Sequence, residues 1–117
     1  MPSIGMSIDG VTHAGDDIFV FPVYGFSWGG DLKRISVTRD VTDISAQIVL
    51  MQVVDDARNA TISCTDDDGT QYLTYAMSSV RIRDYSVIAG PDRAREQFTA
   101  ECQTVVMTSG EYTATIA

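Results

Sequence analysis

Apolar and polar positions alternate along most of the chain, with one break where the period becomes helical. Residues 3–8 read as a short first strand, and Asp9-Gly10 with the following residues 13–17 read as an exposed connection. Residues 18–28 run Ile-Phe-Val-Phe-Pro-Val-Tyr-Gly-Phe-Ser-Trp, with β-branched and aromatic side chains on both alternate sets. Such a strand needs cover on both faces. Pro22 lacks a donor and Gly25 lacks a side chain, which predicts an edge, a bulge or a bend inside it.

Gly29-Gly30-Asp31 predicts a turn, and residues 32–38 alternate as a strand. Beyond Asp43 the mode changes. Ile44, Ile48, Met51 and Asp55 fall at helical spacing, which predicts the only substantial helix over about residues 44–55. Asp40 and Asp43 are placed to supply a cap and an acidic first turn. Val49, Leu50, Val53 and Val54 widen the apolar surface beyond one stripe, so the helix is expected to touch more than its own sheet.

Strands return after Arg58. Ala60, Ile62 and Cys64 alternate with polar residues, Asp66-Asp67-Asp68-Gly69 turns the chain, and residues 71–77 complete the clearest hairpin. Val80 and Ile82 lie on one parity and Tyr85 and Val87 on the other, which predicts a bulge near Asp84. Gly90-Pro91-Asp92 ends that strand. Residues 97–108 read as one strand bearing Phe98, Ala100, Cys102, Thr104 and Val106, and Tyr112, Ala114 and Ile116 mark a last one. About seven or eight short strands with one inserted helix favour a small barrel or sandwich, since open edges template further pairing.

The 117 residues suit one domain, 1–117, with 44% hydrophobic and 21% charged residues in the ordinary globular range. A formal net charge of −8 repels phosphate backbones and anionic lipid, so nucleic acid is not an expected partner. The apolar runs are too short for a membrane-spanning helix, and the first residues have no signal-peptide pattern. Membrane insertion is therefore not expected. Cys64 and Cys102 fit either one disulfide or two buried thiols.

No constellation forces a chemistry. His13 is the only histidine, and a metal at Asp16-Asp17 or Asp66-Asp67-Asp68 has to compete with ordinary turn formation. An EF-hand aligned on Gly69 puts Cys64 first and Tyr75 twelfth, where Asp and Glu are required. Gly25, Gly29 and Gly30 lack the dinucleotide-binding pattern, and Asn59-Ala60-Thr61 is only formally a glycosylation acceptor. Neither a metal, a cofactor nor an enzymatic activity is expected. Arg81 and Arg83 share a strand face and are candidates to meet acidic patches on a second copy.

The order of these segments resembles the Hcp family, the haemolysin-coregulated tube proteins of type VI secretion. Four stretches carry the resemblance: His13-Ala14 leading to Phe26-Ser27-Trp28-Gly29; residues 37–43 before the helix; Ala60-Thr61-Ile62, Asp68-Gly69 and residues 72–79 running into Val80-Arg81-Ile82-Arg83-Asp84-Tyr85; and residues 96–106 followed by Tyr112. Together they span nearly the whole chain. The resemblance implies a β-barrel of two sheets with a flanking helix, assembled as a homohexameric ring. Such rings stack into the inner tube of a contractile secretion apparatus, and some carry effectors. It also implies assembly in the cytoplasm, export through the apparatus, and sheath or spike components as partners. Two departures stand out: the tight Gly29-Gly30-Asp31 turn replaces a long loop of many relatives, and the chain stops soon after the last core strand.

A ring asks for two contacts. The lateral one is expected to use the helix (Ile44, Ile48, Val49, Val53), the apolar strand (Ile18, Val20) and Arg81 and Arg83. The axial one is expected at Asp16, Asp17, Gly30, Asp31, Asp66 and Asp67. Two alternatives remain: a tube protein of another phage-tail-like injection system, and a non-catalytic monomeric binding module with a polar helix face.

Overall fold

A computed structural model describes residues 3–11, 20–28, 33–91 and 94–116. Among them β1 (Ser3–Ile8) pairs antiparallel with β5 (Arg58–Thr65), which turns into β6 (Gln71–Ile88). The turn is built as its residues require: the Asp66 N–H donates to the Thr70 carbonyl (2.9 Å), the Thr70 N–H donates to Asp68 Oδ1 (2.9 Å), and Gly69 takes a φ of 87°. Only glycine adopts that conformation without steric cost.

β6 organises the rest. At about 3.3 Å per residue a straight strand of its 18 residues would span roughly 60 Å, beyond the 40 Å long axis of the molecule. It bends instead, with Ser79 and Asp84 at positive φ (52° and 55°). Its first part lies between β5 and β8 (Thr104–Ser109), and its last part pairs with β7 (Arg95–Glu101). The register shift between Arg83 and Ser86 is the bulge that the parity change predicts. β7 pairs with β4 (Arg34–Asp40), β4 with β3 (Gly25–Trp28), and β8 with β9 (Tyr112–Ile116).

The sheet is not closed into a barrel. In place of a two-sheet barrel of seven or eight strands, nine strands among the described residues form one sheet in the order β2-β1-β5-β6-β7-β4-β3, where β2 is Phe21–Pro22, with β8 and β9 branching from β6. The cause lies at the expected bend between Pro22 and Gly25. β2 pairs with β1, and two residues later β3 pairs with β4. Between them the Val23 N–H donates to the Ile4 carbonyl (3.0 Å) and the Tyr24 N–H to the Thr38 carbonyl (2.9 Å). Both ends of the path are thus successive pieces of one segment, and among the described residues no ladder joins them. The strand expected over residues 97–108 is also two strands. Cys102 and Gln103 donate backbone N–H groups to Lys33 and Ser78, and burial moves from Cys102 to Val105, reversing the parity.

The helix α1 spans Ser45–Val54, slightly inside the expected range, and its cap differs from the expectation. Asp40 ends β4, Ile44 occupies the N-cap without a side-chain bond, and the first turn has no acidic residue. Instead the Thr42 N–H donates to Ser45 Oγ (3.0 Å). Ile44, Ile48 and Met51 enter one core with Met6, Phe21, Ile35, Ile62 and Phe98. Cys64 and Cys102 are buried thiols not joined in a disulfide, and burial pushes the Cys64 thiol up.

A buried ion pair joins these layers. Arg39 and Glu96 face each other across β4 and β7, with 2.5 Å between Arg39 Nη1 and Glu96 Oε2. Glu96 Oε1 accepts from the Tyr85 hydroxyl (2.7 Å), and Arg39 donates to Thr42 Oγ1 (2.7 Å) and lies 4.7 Å over the Phe21 ring. Strand parity already held this signal, since Arg39 shares the parity of the buried Ile35 and Val37, and Glu96 that of Phe98 and Ala100.

Two outcomes are expected. Glu96→Ala strands a buried guanidinium and should lower unfolding stability by about 3–5 kcal/mol in denaturant titrations, whereas Arg39→Met combined with Glu96→Leu should recover most of that loss. Tyr85 is pushed up to about 12, first by burial and then by the Glu96 hydrogen bond and charge. Its contribution to stability is complete below the ordinary value of 10.0 and is lost as pH rises through the folded value. Phenolate absorbance should therefore show one of the five tyrosines ionising late, a step that Tyr85→Phe removes.

Candidate assembly interface

α1 carries no charged residue from Ser45 to Val54. Its inner side is spent in the core, so Ile44 and Ile48, expected at a lateral contact, are fully buried within their own protomer. The outer side is also apolar: Ala46 is exposed, and Leu50, Val53 and Val54 are 58%, 74% and 58% exposed, while Val49 is half-buried. Val20 is exposed and lies against β1, where a Cβ on Gly5 would come within 2.7 Å of its Cγ1. That approach accounts for glycine at position 5. Ile18 lies outside the described residues.

Arg81 and Arg83 find their partner inside the protomer. Asp55 closes α1 in the left-handed conformation (φ 55°), and its carboxylate receives Arg83 Nη1 at 2.6 Å and Arg81 Nη1 at 3.0 Å. Arg81 Nη1 also donates to the Asp55 carbonyl (2.6 Å), placing cationic donors where the helix ends in unpaired carbonyls. Gln52 Oε1 accepts from the Tyr85 N–H (3.0 Å). These bonds clamp the helix to the bend of β6. The Arg83 hydrogen bond, then that of Arg81, holds the Asp55 carboxyl below its usual range.

The β8–β9 hairpin stands on the other flank of β6. Among the described residues β9 pairs only with β8, and Tyr112 to Thr115 are exposed on both faces. Three cross-strand rows show how the core runs out: Ala60, Met77, Val105 and Ile116; Ile62, Tyr75, Met107 and Ala114; Cys64, Leu73, Ser109 and Tyr112. The first is buried up to Val105. In the second burial is already partial at Tyr75, on which Phe26 packs edge-on at 5.7 Å, and the third ends at Tyr112, 82% exposed. The opposite face bears Ser7, Thr61, Ala76, Val106 and Thr115 in one row and Gly5, Ser63, Thr74, Thr108 and Thr113 in the next. That face is uncharged and short-chained.

Of the expected axial residues, Asp66 and Asp67 lie in the exposed β5–β6 turn. Asp16, Asp17, Gly30 and Asp31, and likewise His13, lie outside the described residues. The backbone and side chain of Thr70 hold the neighbouring Asp68 carboxyl below its usual range, so turn formation accounts for that residue. Among the described residues no three His, Cys, Asp or Glu side chains gather as a metal site.

The fold is similar to that of Hcp1 from Salmonella typhimurium, with a TM-score of 0.82 over 97% of this chain and 91% of that one at 16% identity. The chain has the Hcp fold. A type VI secretion system effector from Yersinia pestis is similar with a TM-score of 0.79 at 13% identity, over 96% of this chain and 95% of that one. A chain of the anti-feeding prophage baseplate, 6-fold symmetrised, is similar at a TM-score of 0.65 and 9% identity, covering 95% and 94%. No protein-family model matches the sequence and no curated protein matches it. At these identities the likeness is one of fold, and it agrees with the Hcp resemblance read from the residues.

Asp55→Asn tests the helix clamp, because asparagine tolerates the left-handed conformation but loses the charge. A depressed carboxyl contributes stability that is present above its unfolded value, near 3.8, and is lost as pH falls through the folded value. The variant should be less stable at neutral pH and should lose less stability on acidification below about pH 4, as read by thermal unfolding across pH.

Proposed function

We propose that the chain is a structural subunit of a homohexameric ring that stacks into the inner tube of a contractile secretion apparatus. The observation that carries this reading is the uncharged, apolar outer face of α1 on an Hcp fold matched over nearly its full length. A monomeric binding module would expose a polar helix face there. In this role the chain performs no catalytic step; it acts by geometry, forming a wall around a channel. Effector cargo inside the ring, contact with sheath or spike components, and cytoplasmic assembly followed by export belong to the same proposal. A tube protein of another phage-tail-like injection system is the second reading, favoured by the likeness to the anti-feeding prophage baseplate.

Lateral contact is assigned to the outer face of α1, with Val53 most prominent, and to Val20; axial contact is assigned to the loops at the ends of the sheet, including Asp66 and Asp67. Sedimentation over a dilution series should give a species of six chains that persists at low concentration, and negative-stain images should show rings. A stable monomer would refute the proposal. Each copy carries a net charge of −8, and salt shortens the range of repulsion to about 8 Å at physiological ionic strength. Stacks should lengthen with added salt, and a length independent of salt would remove the electrostatic account of stacking.

A further inference from the structure

We infer that the exposed stripe of α1 seats on the uncovered inner face of the β8–β9 hairpin of a second copy of this chain. The inference deepens the ring reading and rests on it.

Charge selects the occupant. The chain has 16 acidic and 8 basic residues, yet residues 44–54 carry none of them and the hairpin residues 104–116 carry only Glu111, at the tip. Two copies with the same net charge repel, and a contact through neutral surfaces avoids both that repulsion and the desolvation of buried charge.

Shape and chemistry agree. Ala46, Leu50 and Val53 follow one another at i, i+4 and i+7, the spacing by which a helix presents an apolar stripe to a receiving surface. On the hairpin, Met107, Ala114 and Tyr112, with Leu73 of the adjoining β6, extend the core rows beyond their own cover. Ala114 lies between Tyr112 and Ile116 on β9 and opposite Met107, so a small side chain is framed by three large ones. Methionine adapts its shape to an incoming side chain.

The two surfaces also lie on opposite flanks of β6. β5 follows β6 as far as Val80, beyond which α1 takes that side through Asp55 and Gln52; β8 and β9 lie on the other side. Two different patches on opposite flanks make a head-to-tail contact, the kind that closes into a ring when the rotation fits.

The test uses the full chain. Val53→Asp and Ala114→Asp each alter an exposed side chain, so far-ultraviolet circular dichroism should report an unchanged fold. Sedimentation should show at least a tenfold weaker association for either variant. Chains carrying both Leu50→Cys and Ala114→Cys, or both Leu50→Cys and Tyr112→Cys, should give a ladder of covalent oligomers on oxidation, and each single cysteine should not; Cys64 and Cys102 are buried. Wild-type rings with weakened Asp variants and a ladder support the contact. Wild-type rings with intact Asp variants, or with no ladder from either pair, overturn it and leave the ring reading standing. A monomeric wild type overturns both.

Discussion

One strand has to serve as neighbour to three others and to a helix, and the fold follows from how it does so. β6 is too long to remain straight within the molecule, and its two positive-φ residues divide it into a part held between β5 and β8 and a part paired with β7. The first bend frees the side on which α1 settles. The second brings Tyr85 to both Gln52 of the helix and Glu96 of β7. Without the bends neither the helix clamp nor the branching hairpin has a place.

The Arg39–Glu96 pair ties β4 to β7 across the core, and Tyr85 and Thr42 extend it to β6 and the approach to α1. A buried pair of this kind is weak as a source of net stability but intolerant of losing one member. It therefore fixes which strands lie side by side more firmly than apolar contact does, since an apolar side chain accepts many neighbours. This pair sits near the segment that changes partner between β2 and β3, with Phe21 beneath the guanidinium.

Local features were legible in the sequence. Alternation located most strands, the change of parity located the bulge near Asp84, and Pro22 and Gly25 marked the bend. What alternation does not encode is which strands become neighbours, so an open sheet and a closed one carry the same pattern. The residues at 102–103 show a second limit, because an apolar run that changes face imitates a continuous strand when Thr104 and Val106 happen to keep the old parity. At the assembly surface, the excess of aliphatic residues on the helix was visible, but with both sides apolar the period alone did not say that Ile44 and Ile48 point inward. The pairing of Arg81 and Arg83 with Asp55 is hidden from the sequence because the left-handed turn that carries Asp55 to them depends on where the helix ends. The buried ion pair is readable from parity, against the general rule that charges lie at the surface.

The outer edge of β9 has a consequence for the solitary chain. Edges of this kind are ordinarily blunted by lysine, proline or an inward charge, and residues 112–116 contain none of these. Among the described residues no strand pairs with that edge, so a newly made copy offers a template for strand addition beside an apolar surface, and misdirected growth into aggregates competes with orderly association. The hazard increases with the time a copy spends alone, which places a premium on prompt association with its proper neighbours.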